Sequence, residues 1–154
     1  MKKSHLYLII ITLFMMACDQ EKPNVFTEKI LEIQQTNIPD KRLLYWDIEI
    51  EKDNSATKLI GATVSEKAFN ELSTFAKEQN LGFEVELLPT IDFKENPWGI
   101  VTLSVCNIRG NARHSAELVT QALMGTPVKV FDKAGSWYLV QTPDRYFGWV
   151  DDAA

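Results

Sequence analysis

From residue 98 onward, glycine and proline cut the chain into short apolar or alternating pieces, and this punctuation constrains the fold more than any other feature. Ile100 to Cys106 predicts one strand, with Ile100, Thr102, Ser104 and Cys106 on one face and Val101, Leu103 and Val105 on the other. Glu117 to Leu123 predicts a second. Val128 to Phe131 follows Gly125-Thr126-Pro127, Trp137 to Gln141 follows Ala134-Gly135-Ser136, and Tyr146 to Val150 follows Pro143-Asp144-Arg145. Five short strands so spaced predict a small closed all-β barrel over residues 98–154. Trp137 and Trp149 are its expected anchors, because large rings dominate the burial of a small core. Gly125 and Gly135 stand where turns need a free φ.

The preceding stretch changes period twice. Thr27 is placed to cap a helix running to about Gln35, with Phe26, Ile30 and Ile33 on one side. Asn37-Ile38-Pro39-Asp40 ends it, because proline cannot continue a helix. Leu44, Trp46, Ile48 and Ile50 then alternate with Tyr45, Asp47, Glu49 and Glu51, as in a half-buried strand. Asp53-Asn54-Ser55 reads as a turn into a hairpin partner, Lys58 to Thr63, with Gly61 inside it. Ser65 caps a helix through about Asn80, whose buried stripe is Ala68, Phe69, Leu72, Phe75 and Ala76. Gly82 is expected to stop it. Phe83, Val85 and Leu87 alternate with Glu84 and Glu86 in a third strand, and Thr90 to Pro97 is a polar link. Residues 28–97 thus predict a small α+β module with helices on one face of a short sheet.

The N-terminus reads as an address. Lys2 and Lys3 precede an apolar run from Leu6 to Ala17, broken by Thr12, which is too short to span a bilayer comfortably. Cys18 follows at the expected cleavage point. This resembles the lipobox of bacterial lipoproteins, although Met15-Met16-Ala17-Cys18 departs from the usual box at its first two places. The resemblance implies residues 1–17 as signal peptide, a diacylglyceryl group on Cys18, a tether over residues 18–27, and an exported, membrane-anchored chain. A plain signal peptide and an uncleaved anchor are the alternatives. The whole chain carries 16 basic and 21 acidic residues, a formal charge of −5. Loss of Lys2 and Lys3 would leave it more acidic still, so a nucleic-acid surface and a polybasic membrane patch are both disfavoured.

The C-terminal segment carries ordered landmarks. These are Asn107-Ile108-Arg109, His114 to Val119, Gly125 to Val130, Gly135 to Val140 with Trp137, and Gly148-Trp149-Val150. The series resembles the bacterial SH3-like domain, over roughly Ile100 to Asp151. Arg109 is placed to fix the adjacent loop by bonding its carbonyls. More narrowly, Leu118 to Pro127 and Trp137 to Asp144 resemble the SH3-like domain of bacterial dipeptidyl-peptidase VI, an NlpC-type cysteine peptidase of cell-wall peptides. Asp40 to Pro89 is similar to the segment preceding that domain in some members. The resemblance implies a γ-D-glutamyl to diamino-acid substrate class. It also implies a catalytic domain of about a hundred residues carrying a cysteine and a histidine, for which these 154 residues hold no counterpart. Glu117, Tyr138 and Tyr146 are candidates for contact with a peptide ligand.

Other residues invite chemistry and support it poorly. Cys106 ends an apolar strand while His114 lies in a polar loop, and a thiolate–imidazole pair needs close contact and an orienting third group. A small buried cysteine and a surface histidine are the plainer readings. Asp144, Asp151 and Asp152 suggest a cation but lack an ordered loop. Glu84 and Glu86 read as a wet strand face, and Tyr45 as a cover for helix or linker surface. No glycine-rich phosphate loop and no metal-ligand cluster is seen, so neither metal nor cofactor is expected. The sequence therefore predicts a non-catalytic envelope lipoprotein that binds or positions peptidoglycan peptides or an envelope protein. The alternative is the substrate-cleft portion of a longer cell-wall peptidase.

Overall fold

The structure is a computed structural model and describes residues 25–53 and 56–154; the signal-peptide, lipidation and Asn54-Ser55 turn assignments lie outside them. Over the described residues it is mostly β, with two α-helices and two sheets.

Helix α1 spans Val25–Asn37 and buries Ile30 and Ile33, one turn apart. It already includes Thr27, so that residue is not its cap. The Asn37 side chain donates to the Ile33 carbonyl at 2.9 Å and to Glu71 Oε2 at 3.0 Å, tying the end of α1 to the second helix. Strands β1 (Trp46–Asp53) and β2 (Ala56–Thr63) form the expected antiparallel hairpin. Helix α2 (Glu66–Glu78) then crosses over to β3 (Gly82–Leu87), which runs parallel to β2. Ser65 Oγ accepts from the Ala68 amide at 3.2 Å, as its cap role requires. Ala68, Leu72, Phe75 and Ala76 face the sheet, and full burial of a side chain such as Leu72 contributes about 1.5–3 kcal/mol. The helix is not stopped by Gly82. Asn80 takes the left-handed turn at φ 54° instead, and Gly82 is already in β3. Gly61 is obligatory for a different reason. Its φ is +119°, and a Cβ there would lie 1.8 Å from the Asp47 carbonyl oxygen across the hairpin.

The C-terminal sheet has six strands rather than five. The single strand expected over Ile100–Cys106 is broken in two: β4 spans Trp98–Ile100 and β5 spans Val105–Arg109. Between them the backbone turns aside to the next turn of the chain. Val101 N–H donates to the Thr126 carbonyl at 3.0 Å, and Gly125 N–H donates to the Val101 carbonyl at 2.8 Å. Asn107, Ile108 and Arg109 thus lie inside β5. Strands β6 (Leu118–Leu123), β7 (Pro127–Ala134), β8 (Trp137–Gln141) and β9 (Phe147–Asp151) complete an antiparallel order β4-β7-β8-β9-β5-β6. These pairings leave β4 and β6 at the two ends.

A register shift in β7 between Val130 and Asp132 sets the core. It allows two consecutive residues, Val130 and Phe131, both to be buried. Val130 joins a cluster with Val101, Cys106, Ile108, Ala122, Val128, Val140 and Val150. Phe131 joins Leu88, Trp137, Leu139, Phe147 and Trp149, and against these pack Ala62 of β2 and the residues just outside the hairpin strands, Tyr45 and Val64. Two backbone hydrogen bonds close the same seam: Phe147 N–H to the Arg42 carbonyl at 2.8 Å, and Thr90 N–H to the Phe131 carbonyl at 2.9 Å. Tyr45 therefore covers the aromatic end of the second sheet, not helix or linker surface.

Candidate functional site

A cavity of about 360 Å³ opens beside β4. Its floor is the valine cluster just described. Its rim is aromatic: Phe93 from the 3-10 turn Ile91–Phe93, Trp98 from β4 and Tyr138 from β8. Phe93 and Tyr138 meet edge to face with centroids 6.3 Å apart. Trp98 is 67% exposed and Ile100 63%, unusual for such large apolar groups on one short strand. Asp151 and Asp152 also line the cavity, and no Lys or Arg does. Lys133 stands behind Tyr138, donating to its hydroxyl at 2.9 Å with its Nζ 4.6 Å from the ring centroid. An apolar, aromatic-walled hollow edged by carboxylates suits a small organic cation or an amino-bearing peptide.

The ligand candidates are not gathered into one site. Tyr138 lines the cavity; Glu117 is exposed before β6, its carbonyl accepting from Gly110 N–H at 2.9 Å; Tyr146 lies with the Arg42 guanidinium 6.0 Å from its ring centroid. Among the described residues no hydrogen bond or ring contact joins the three. Sequence reasoning missed Phe93 and Trp98. The available signal was an aromatic placed directly after the Pro97 turn, at the start of a strand.

The landmark residues hold the sheet. Trp137 and Trp149 are buried in the aromatic cluster. Arg109 Nη1 donates to the Ala116 carbonyl at 2.8 Å and so fixes the loop between β5 and β6. Asn107 accepts from Gln121 Nε2 at 2.8 Å, across the β5–β6 pair. Gly125 has φ +85°, and Gly148 lies too close to Ile108 and the Arg109 carbonyl to admit a side chain.

A second hollow of about 220 Å³ brings together Cys106, His114 and Asp151, which the sequence left apart. His114 Nε2 lies 3.5 Å from Asp151 Oδ2, and its ring is 4.9 Å from that of Trp137. Cys106 Sγ faces the Asn107 carbonyl at 3.8 Å, and no hydrogen bond to His114 is formed. Burial, then the Asp151 charge, push the Cys106 thiol above its ordinary range. That is the opposite of what an activated nucleophile needs. The corner lacks the contact that a thiolate–imidazole pair needs.

No curated protein matches the chain. The family model described as the bacterial dipeptidyl-peptidase Sh3 domain matches residues 108–154, which hold Arg109, Gly125, Trp137, Gly148 and Trp149 in the places just described, and so over that stretch the chain is similar to a bacterial SH3-like domain.

Proposed function

We propose that the chain is a non-catalytic cell-envelope lipoprotein, exported and held at a membrane through lipid on Cys18, whose SH3-like domain binds or positions peptidoglycan peptides. The observation that carries this reading is the match of residues 108–154 to a domain of bacterial dipeptidyl-peptidases, with an aromatic, carboxylate-edged cavity beside it. Short cell-wall peptides carry a free amine and small apolar side chains. The amine would sit against Asp151 and Asp152, and the apolar part against Trp98 and Tyr138.

The test is calorimetric titration with L-Ala-γ-D-Glu-diaminopimelate. Binding is expected, and Trp98→Ala should weaken it by about tenfold or more while leaving Tm unchanged. Lack of binding, or binding indifferent to Trp98→Ala, would overturn the reading. Release of diaminopimelate from this peptide would remove the non-catalytic part of it. Cys18→Ser should free the chain from membranes, and retention would point to an uncleaved anchor. The same family match also favours a second reading, the substrate-cleft portion of an NlpC-type cysteine peptidase. A reading frame for a cysteine and histidine domain downstream of Ala154 would decide for it.

A further inference from the structure

The first sheet has one covered face and one open face. Helices α1 and α2 pack on the side of Trp46, Leu59 and Val85. On the other side the strand register sets three rows: Asp47–Ala62–Glu86, Glu49–Ile60–Glu84 and Glu51–Lys58–Gly82. Five carboxylates thus stand in two outer files, on β1 and β3, flanking a central file of Lys58, Ile60 and Ala62. Neighbouring strands lie about 4.8 Å apart, so the two acidic files face each other across about 10 Å.

Lys58 shows how the face accommodates a cation, reaching along a diagonal, since Glu51 stands in its own row and Glu84 in the next. Lys58 Nζ reaches Glu51 at 2.9 Å and Glu84 at 3.0 Å, a single ammonium bridging both outer strands. The carboxylates on either side raise its pKa. In the next two rows the central residue is Ile60 and then Ala62, so no ammonium occupies that place. Among the described residues no cation pairs with Asp47, Glu49 or Glu86; Asp47 receives the Tyr45 hydroxyl at 3.3 Å. The trough is therefore apolar along its floor and acidic along both walls. Its Ala62 end runs into the aromatic seam with the SH3-like domain.

We propose that this trough docks an extended polypeptide segment of a partner protein bearing lysine or arginine at every second residue. Rows on one sheet face repeat every two residues, about 6.6 Å, which is also the spacing of same-side residues on an extended strand. A cation with its aliphatic stem on Ile60 would copy the Lys58 diagonal, from Glu49 to Glu86, and one on Ala62 would meet Asp47. The formal charge of −5 adds attraction at long range. This surface is separate from the cavity at β4, and the proposal does not depend on peptidoglycan binding.

The probe is a fluorescein-labelled hexapeptide of alternating lysine and valine, followed by anisotropy with the full chain. The comparison peptide has the same composition with its lysines in one block. The alternating peptide is expected to bind at low salt, to weaken as salt rises, and to outcompete the block peptide. Glu49→Gln with Glu86→Gln should weaken it by about tenfold. Glu28→Gln with Glu78→Gln removes the same charge from the helices and should leave Kd within about twofold. Trp98→Ala should leave it unchanged, which separates this surface from the cavity. Absence of binding, equal binding of the block peptide, or equal losses in the two double variants would overturn the proposal. Circular dichroism checks that each variant is folded.

Discussion

Tyr45 and Trp149 meet edge to face, ring centroids 6.5 Å apart at 75°, and through this contact the residue that leads into β1 touches β9 of the other sheet. Phe147 flanks the same ring at 6.2 Å. The two sheets therefore share a core instead of hanging on a linker. Tyr45→Ala strips one half-buried ring from the seam and should cost about 2–3 kcal/mol, below the cost of deleting a fully buried ring. Urea unfolding followed by far-UV and tryptophan signals tests it. The parent chain should unfold in one transition, and the variant in two or at a much lower midpoint.

The same ring predicts an alkaline limit. Burial, followed by the Asp47 charge, raises the Tyr45 phenol well above the ordinary tyrosine value of 10.0. The unfolded chain loses this proton first as pH climbs through 10, so the folded state then binds more protons than the unfolded one. Stability must fall with pH in that window. Denaturation midpoints between pH 9 and pH 11 should drop more in the parent than in Tyr45→Phe, and phenolate absorbance should retain one late-titrating tyrosine.

Gly148 and Gly125 should respond differently to alanine. At Gly148 a Cβ would fall 2.6 Å from Ile108 Cγ2 and 2.8 Å from the Arg109 carbonyl oxygen, so backbone must move. At Gly125 nothing lies within 4 Å, and only the positive φ resists. Gly125→Ala should cost about 1–2 kcal/mol, the left-handed penalty. Gly148→Ala should exceed it, through overpacking of about 1–3 kcal/mol or more. Thermal melts of the pair settle the order.

Much of the first module is readable from residue order. Ser65 and the stripe from Ala68 to Ala76 specify α2 locally, because cap and period lie within one element. The Ile100–Cys106 error has a physical cause. Alternation continues across the break, and only the bonds between Val101 and the Gly125–Thr126 turn, made at a distance in sequence, divide the strand. Tyr45 was misread for a similar reason, since its polar-side position says nothing of an aromatic partner supplied by β9. The parallel pairing of β2 with β3 is likewise a tertiary outcome. For the site, Tyr138 was visible as a candidate. Phe93 and Trp98 were not, because their exposure is a property of the folded surface.

Cys106 supplies a test of its own burial in the corner beside His114. Its side chain is 2% exposed and its thiol is held protonated by burial and by Asp151. Native protein at pH 8 should react with a thiol-specific disulfide reagent far more slowly than protein in urea. Fast native labelling would mean the corner opens.

Arg109→Lys should keep the charge and lose the reach to Ala116. The cost expected is about 1–2 kcal/mol, with amide exchange rising first between Gly110 and Glu117. A uniform rise across the sheet would place the arginine's role elsewhere.

The seam also fixes a timetable. Tyr45, Ala62 and Leu88 are synthesised well before Phe131, Phe147 and Trp149, yet each is covered by that later group. The helical module must therefore emerge from the ribosome with one greasy end bare and wait, through β4 to β6, for the strands β7 to β9 that shelter it. The part of this chain that is made first cannot be finished until the part that is made last is in place.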